Sequence, residues 1–217
     1  MKIVLSCAEV ADRLNEFLIL DMRTKEEFDE YHVNGAVFWP GNPHLKNGDA
    51  VINKDEFAAL MSQIGATKDS KILAYDDGNR RNPARMWMVA AQYGHMSVYV
   101  LDGGWPAAKN SLPLSNTATD VNTTTYTAEE TGGYIATSQD IVADFDKMKL
   151  LDVRTLDEFT GKALMGNSRG GRITGAVNVD FNELLNTEGD EFFLAPDKIE
   201  SIMTAAGIAK DDHIVPY

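Results

Sequence analysis

The chain has 217 residues, of which 44% are hydrophobic and 24% charged, and its formal net charge is −13. This composition is typical of a soluble globular protein and provides enough chain for one large or two small domains. Because nucleic acids and anionic membranes are themselves negatively charged, neither is expected as a partner.

The cysteine count and the N-terminus narrow the class of protein further. Cys7 is the only cysteine, so no intrachain disulfide can form, and the four scattered histidines provide no metal-ligand spacing. We therefore expect no metal site. The first residues lack the apolar core of a secretory signal, so a cytoplasmic location is the default prediction. A periplasmic location is the alternative if a signal has been removed.

Short apolar strands alternate with helical segments in the first half of the chain. The strands are predicted at Phe17–Asp21, Gly35–Trp39, Lys71–Tyr75 and Ser97–Leu101. The helices are predicted at Ser6–Asn15, Lys25–Tyr31, Lys54–Ile64 and Pro83–Tyr93, with a last short helix after Trp105 and a loop over Pro40–Asp49. This alternation predicts an α/β fold in which helices flank a mainly parallel sheet.

The stretch 113–132 interrupts this pattern. It is rich in Thr, Ser and Asn and has almost no apolar periodicity, which is typical of a linker. We therefore predict a first domain over 1–112 and a second over 133–217. The second begins with a helix over Gln139–Met148 that Ser138 caps.

Three ordered matches indicate that the second domain repeats the first. Leu18–Phe28 matches Lys149–Phe159 at an offset of 131, Val33–Val37 matches Ile173–Val177 at an offset of 140, and Met61–Gly65 matches Met203–Gly207 at an offset of 142. The extra residues of the second copy fall within Gly161–Gly171. We interpret this pattern as an internal duplication in which Tyr217 corresponds to Tyr75.

The first copy continues beyond Tyr75 with a helix, a strand and a terminal helix, and the second copy contains no counterpart of them. We therefore expect the second sheet to lack at least one strand of the first. Either a further segment or a second polypeptide covers the sheet edge and the apolar face that would be left, or the second copy is incomplete and packs on the first.

The repeated motifs resemble those of the rhodanese family, specifically its tandem two-domain members, the thiosulfate and 3-mercaptopyruvate sulfurtransferases. In the first copy they are Leu20-Asp-Met-Arg-Thr24 with Glu27-Phe28, His32-Val-Asn-Gly-Ala36, Tyr75-Asp-Asp-Gly78, Tyr93-Gly-His95 and Val100-Leu-Asp-Gly-Gly-Trp105. In the second copy they are Leu151-Asp-Val-Arg-Thr155 with Glu158-Phe159, and Gly171-Arg-Ile-Thr-Gly-Ala-Val-Asn178. The resemblance covers nearly the whole chain.

The resemblance implies two rhodanese-like domains, each a mainly parallel sheet flanked by helices, with the second incomplete in this chain. In tandem members only the second domain is catalytic, and its nucleophile is a Cys at the first position of the loop after the central strand. That position directly follows Tyr217 and is absent here, while Asp76 is its inactive equivalent in the first copy. The chain alone is therefore expected to be inactive.

The implied activity is the transfer of sulfane sulfur from thiosulfate or 3-mercaptopyruvate to a thiophilic acceptor such as cyanide or a thiol, by way of a cysteine persulfide. It requires a thiolate and a loop that cradles a small anionic donor, and the resemblance implies no cofactor.

The candidates for binding the substrate or supporting the loop are Asp152, Arg154, Arg169 and Arg172. For Asp152 the alternatives are orienting the catalytic loop and capping the following helix, and the cap is preferred. For Arg154 the preferred alternative is an ion pair with Glu158 or a bond to nearby carbonyls. Mammalian rhodaneses place a substrate-binding Arg at the position of Glu158.

Two other functions stay open. One is a non-catalytic rhodanese-like binding or regulatory module, and the other is a phosphatase, because the cell-cycle dual-specificity phosphatases share this fold with a longer active loop. The loop after Tyr217 distinguishes them: a Cys in a short loop indicates sulfur transfer, a Cys in a longer loop phosphate chemistry, and no Cys binding. The sequence does not decide between the two sulfur donors.

Overall fold

A computed structural model describes residues 2–39, 46–47, 50–78, 81–186 and 192–217. The chain divides into two compact units, unit 1 over Met1–Ile135 and unit 2 over Ala136–Tyr217. Most of the loop predicted at Pro40–Asp49 lies outside the described residues.

Unit 1 alternates strands and helices, as the sequence predicts. Its strands are β1 (Val4–Leu5), β2 (Leu18–Asp21), β3 (His32–Val33), β4 (Val37–Phe38), β5 (Lys46–Asn47), β6 (Ala50–Val51), β7 (Ile72–Tyr75), β8 (Val98–Leu101) and β9 (Leu114–Ser115). Its α-helices are α1 (Cys7–Val10), α2 (Lys25–Glu30), α3 (Lys54–Gln63), α4 (Arg81–Gln92) and α5 (Gly104–Ser111). A 3₁₀ segment over Ala11–Glu16 follows α1.

The main sheet of unit 1 has five parallel strands in the order β1-β8-β7-β2-β4. All four residues of β7 are buried. Ile72 and Ala74 face one hydrophobic cluster, whereas Leu73 and Tyr75 face another. A strand buried on both faces lies between two layers of helices, so the predicted α/β fold class is confirmed.

Local sequence signals explain most helix starts and miss some boundaries. Thr24 and Asn53 cap α2 and α3 in capping boxes. However, α4 begins at Arg81 rather than at Pro83. The short strand β3, which pairs antiparallel with β9, was not predicted because its two residues are too few for a periodic signal.

The stretch 113–132, predicted as a linker, lies along unit 1. The Thr124 amide donates to the Ser62 carbonyl at 3.0 Å, and the Thr124 hydroxyl donates to the Ala66 carbonyl at 2.6 Å. Tyr126 and Ala128 are buried. Some polar side chains of this stretch, such as those of Thr124 and Thr131, hydrogen-bond to the ends of helices, so its polarity does not indicate a free segment.

Unit 2 has a smaller set of elements. Its strands are β10 (Lys149–Asp152), β11 (Val177–Asn178) and β12 (Ile214–Pro216), and its α-helices are α6 (Ser138–Ala143), α7 (Leu156–Phe159) and α8 (Pro196–Ala205). Two 3₁₀ segments lie at Phe145–Lys147 and Phe181–Leu184. The helix predicted over Gln139–Met148 is therefore shorter, and its cap is Thr137 rather than Ser138.

The sheet of unit 2 has three parallel strands within the described residues, in the order β11-β10-β12. This order corresponds to β4-β2-β7 of unit 1. The Met22 amide donates to the Tyr75 carbonyl at 2.9 Å, and the Val153 amide donates to the Tyr217 carbonyl at 3.1 Å. The strand pairing therefore agrees with the offsets found in the sequence.

Candidate functional site

An open cavity of about 410 Å³ lies where β10 and β12 of unit 2 end. It is lined by Arg154, Arg169, Gly170, Gly171, Arg172, Ile173 and Tyr217. Three of the four candidate residues, the arginines, therefore line one cavity. Loops at the carboxyl ends of parallel strands are where α/β proteins bind ligands, so this cavity is the candidate site.

Asp152 and Arg154 form a bidentate ion pair at the base of this cavity. The Arg154 Nη2 donates to Asp152 Oδ2 at 2.6 Å, and its Nε donates to Oδ1 at 3.0 Å. The same Nη2 donates to the Gly171 carbonyl at 2.9 Å. Burial favours a higher pKa for the Asp152 carboxyl, but hydrogen bonds from Arg154 and Tyr217 hold its pKa below the usual value. The carboxylate therefore keeps the guanidinium in a fixed orientation.

These contacts correct two expectations. Asp152 does not cap the following helix, because Thr155 caps α7 together with Glu158. The carboxylate partner of Arg154 is Asp152 and not Glu158, because the Glu158 side chain is turned back to the cap. The expected bond from Arg154 to a nearby carbonyl is present, at Gly171.

Arg169 and Arg172 reach the cavity from the Gly-rich loop that the second copy inserts. Both residues are exposed. The Arg172 guanidinium lies over the Phe159 ring, with Cζ 4.4 Å from the ring centroid. Among the residues that the structure describes, neither guanidinium forms a hydrogen bond or an ion pair. Their donors are available to an anion, and guanidinium groups suit carboxylate and sulfonate-like oxygens.

The inserted loop is held in place by close backbone contacts. A Cβ on Gly170 would lie 2.7 Å from the Gly161 carbonyl oxygen, so no other residue fits there without a shift. Glycine at this position lets the two ends of the loop meet, which brings Arg169 and Arg172 to the cavity.

Tyr217 lines the cavity and was not among the predicted site residues. Its hydroxyl accepts from the Ile173 amide at 3.1 Å and hydrogen-bonds to Asp152. Burial, together with the Asp152 charge, raises the pKa of Tyr217, so the hydroxyl stays protonated at neutral pH. The sequence signal for this residue is the alignment of Tyr217 with Tyr75, which also places the expected nucleophile directly after Tyr217.

The equivalent ion pair in unit 1 is buried. Asp21 and Arg23 form the same ion pair at 2.7 Å, and the Arg23 Cζ lies 3.8 Å from the centroid of the Trp105 ring. Asp76, the predicted inactive equivalent of the nucleophile, is buried, and its carbonyl accepts from the Trp105 amide at 2.8 Å. Arg80 of the same loop lies outside the described residues.

The described residues contain neither a metal-binding cluster nor a helix that could span a membrane. Across the described ranges, no group of three or more His, Cys, Asp and Glu side chains is arranged to hold a metal ion. Within the same ranges, every helix is too short or too polar to span a bilayer. The cytoplasmic location stays a prediction.

Comparison with known proteins shows what the chain is similar to. Residues 6–111 match the family model described as the rhodanese-like domain. A Mycolicibacterium smegmatis protein provisionally named thiosulfate sulfurtransferase is 28% identical over 203 residues, covering 88% of this chain and 72% of that protein. The 3-mercaptopyruvate sulfurtransferase of Mus musculus is 28% identical over 189 residues, covering 82% of this chain and 63% of the mouse protein. The chain thus spans less than two thirds of the mouse protein.

Solved structures share the fold. A crystal structure of the 3-mercaptopyruvate sulfotransferase from Escherichia coli matches with a TM-score of 0.80 at 21% identity, covering 100% of this chain and 88% of that chain. The 3-mercaptopyruvate sulfurtransferase from Leishmania major matches with a TM-score of 0.81 at 20% identity, covering 99% of this chain and 65% of that chain. The architecture is therefore that of the rhodanese fold. Residues 6–111 match the rhodanese-like domain family, in agreement with the motifs of the first copy.

Proposed function

We propose that the protein is a sulfurtransferase that moves sulfane sulfur from thiosulfate or 3-mercaptopyruvate to a thiophilic acceptor such as cyanide or a thiol. The observation that carries the proposal is the convergence of Arg154, Arg169 and Arg172 on one cavity at the end of the central strands of unit 2. Both donors are small anions, and the relatives named after them support this choice of substrate class.

The nucleophile in this proposal is a Cys directly after Tyr217, at the rim of the arginine-lined cavity. Its thiolate attacks the outer sulfur of thiosulfate, the sulfur–sulfur bond of the donor breaks, and sulfite leaves with the bonding electron pair. The cysteine then carries a persulfide. Cyanide attacks the terminal sulfur of that persulfide, which releases thiocyanate and restores the thiolate.

The arginines have two tasks in this reaction. They attract the anionic donor into the cavity, and they hold its oxygens so that the sulfur faces the thiolate. With 3-mercaptopyruvate the same groups hold the carboxylate. The carbon–sulfur bond breaks, its electron pair leaves with the pyruvate enolate, and the enolate takes a proton from solvent to become pyruvate. Positive charge at the cavity also favours the thiolate over the thiol.

Unit 1 has no catalytic role in this proposal. Asp76 stands where the nucleophile is expected, and a carboxylate cannot accept sulfur to form a persulfide. A non-catalytic binding module remains the second candidate for the whole protein, and the buried Asp76 beneath α5 is the observation that favours it for unit 1.

The test compares residues 1–217 with the same chain extended by a Cys-containing loop of the rhodanese type. Thiocyanate formation from thiosulfate and cyanide, and pyruvate formation from 3-mercaptopyruvate, are measured for both. We expect residues 1–217 to be inactive and the extended chain to be active, because losing a nucleophile removes several orders of magnitude in rate.

Two matched variants serve as controls. Cys7→Ser is expected to leave the activity of the extended chain unchanged, and Cys→Ser in the added loop is expected to abolish it. Activity of residues 1–217 that disappears in Cys7→Ser would show that the nucleophile is misplaced. Inactivity of the extended chain with both donors would favour the binding module.

A further inference from the structure

We infer that Tyr217 is a positioning residue of the proposed anion site: its hydroxyl joins the two segments that carry the arginines. This inference rests on the proposed function and adds a residue to it. The hydroxyl accepts from the Ile173 amide at 3.1 Å, directly after Arg172. It also hydrogen-bonds to Asp152, whose carboxylate holds Arg154.

The tyrosine is itself fixed by the sheet. The Tyr217 amide donates to the Leu151 carbonyl at 3.0 Å, and the Tyr217 carbonyl accepts from the Val153 amide at 3.1 Å. The ring therefore projects from the end of a hydrogen-bonded strand. A hydroxyl held in this way transmits the position of β10 and β12 to the loop over 169–173.

The loop over 169–173 needs the Tyr217 hydroxyl as an anchor because Arg169 and Arg172 are exposed to solvent. The Arg172 guanidinium has the Phe159 ring as its neighbour, and Arg154 is tied to Asp152 and to the Gly171 carbonyl. The bond to the Ile173 amide sets where the backbone beside Arg172 lies. Without this hydrogen bond, the cavity keeps its positive charge, but the distances between its guanidinium groups are no longer fixed.

Unit 1 supplies an internal comparison. The Tyr75 hydroxyl donates to Asp21 at 2.6 Å and accepts from the Val33 amide at 3.1 Å. The same two bonds are therefore made, but His32 stands in place of Arg172 and its ring stacks on Phe28 at 4.0 Å. In unit 1 the tyrosine thus serves the fold alone, and Tyr75→Phe is the matched control for Tyr217→Phe.

The experiment measures the steady-state kinetics of the protein that carries the Cys-containing loop after Tyr217, with thiosulfate and with 3-mercaptopyruvate. Tyr217→Phe is expected to raise the KM for the donor about tenfold, on the scale of one net hydrogen bond, and to leave kcat within about twofold. Tyr75→Phe is expected to leave both constants within about twofold. An unchanged KM in Tyr217→Phe, or equal changes in both variants, would overturn the inference.

A double-mutant cycle separates positioning from general loosening of unit 2. In the Arg172→Gln background the effect of Tyr217→Phe on KM is expected to shrink, because the group that the tyrosine positions is gone. Additive effects of the two substitutions would contradict the inference. Hydrogen exchange of the Ile173 amide gives a second readout, since Tyr217→Phe should reduce its protection while β10 stays protected.

Inactivity of the otherwise unsubstituted protein with the Cys-containing loop toward both donors would defeat the proposed function. The inference is then decided by equilibrium binding of thiosulfate. A dissociation constant that rises about tenfold in Tyr217→Phe and not in Tyr75→Phe supports it. Equal constants in the two variants, or no binding by the wild-type protein, overturn it.

Discussion

Units 1 and 2 build the same cluster at the same strand ends but leave it in different environments. Each has an aspartate, an arginine two residues later and a tyrosine on the neighbouring strand. The Arg23 side chain is 2% exposed, whereas the Arg154 side chain is 32% exposed. Trp105 covers the guanidinium of Arg23. The motif alone therefore specifies a buried ion pair, and its surroundings decide whether it lines a site.

The position of His32 in unit 1, which Arg172 takes in unit 2, accounts for much of the difference in positive charge between the two clusters. His32 in unit 1 stacks on Phe28, and Arg172 in unit 2 lies over Phe159. The aromatic platform is thus retained while the group above it changes. The His32 Nδ1 lies 2.7 Å from the Phe28 carbonyl, which turns the imidazole to the backbone. Arginine at the equivalent place extends to the cavity instead.

The largest expected difference between the units is in the arginines themselves. Arg23→Ala would leave the buried Asp21 carboxylate without its charge partner, so we expect unit 1 to lose about 3–5 kcal/mol in its free energy of unfolding. Arg154→Ala should cost unit 2 less, about 1–3 kcal/mol, because Asp152 is equally buried but its partner Arg154 lines the cavity, so water can take the place of the guanidinium.

The two units can be followed separately in urea unfolding. Trp39, Trp87 and Trp105 all lie in unit 1, so tryptophan fluorescence reports that unit alone. Far-UV circular dichroism reports both. Equal losses of stability for Arg23→Ala and Arg154→Ala would contradict the contrast between a covered and an open ion pair.

The next effect concerns two glycines at equivalent helix ends, Gly65 after α3 and Gly207 after α8. Both have a positive φ, at 74° and 81°. Alanine at either place costs about 1–2 kcal/mol of backbone strain. At Gly65 the added Cβ would also lie 2.9 Å from the Asn122 carbonyl oxygen, whereas at Gly207 nothing lies within 4 Å.

We therefore expect Gly65→Ala to destabilise unit 1 by about 2–4 kcal/mol, since displacing the packed segment adds to the strain. Gly207→Ala should destabilise unit 2 by the strain alone. The measurement is the urea unfolding described above. The difference between the two losses of stability isolates the contact between the end of α3 and the segment 113–132. Equal losses would mean that this segment moves aside without a cost in free energy.

Sequence patterns predicted the α/β class and the alternation of strands and helices because both depend on short apolar runs and capping residues. They also identified Arg154, Arg169 and Arg172, which line one cavity. They assigned Asp152 to a helix cap, because a carboxylate before Thr155 resembles one. Thr155 with Glu158 three residues later is itself a capping-box pattern, so the correct cap is visible in the sequence. What the sequence does not show is that Asp152 turns to Arg154.

The sequence did not indicate that the predicted linker over 113–132 packs on unit 1, for a related reason. Polar residues without periodicity are typical of solvated loops, yet Thr124 and Tyr126 satisfy the ends of helices in unit 1. Burial of a single aromatic residue has no periodic signature. The same limit applies to Tyr217, whose part in the cavity depends on the loop that folds over it.

The smallest expected effect is a pH dependence confined to unit 1. His95 is buried, with Nε2 3.0 Å from the Ser70 carbonyl and Nδ1 3.0 Å from the Tyr126 hydroxyl. The carbonyl accepts only, so Nε2 carries the proton and Nδ1 accepts from the tyrosine. Burial raises the pKa of Tyr126 to about 12, so the hydroxyl stays a donor. Burial, with Lys68 nearby, lowers the pKa of His95.

Because the folded state resists protonation of His95, the stability of unit 1 is complete above the unfolded pKa of 6.5. It declines as the pH falls from that value toward the lowered folded pKa, by at most about 1.4 kcal/mol per pH unit. Urea unfolding followed by tryptophan fluorescence between pH 8 and pH 5 measures the slope. His95→Gln should remove this contribution, whereas His213→Gln, an exposed histidine of unit 2, should leave it. An unchanged slope in His95→Gln would assign the acid sensitivity of unit 1 to its carboxylates.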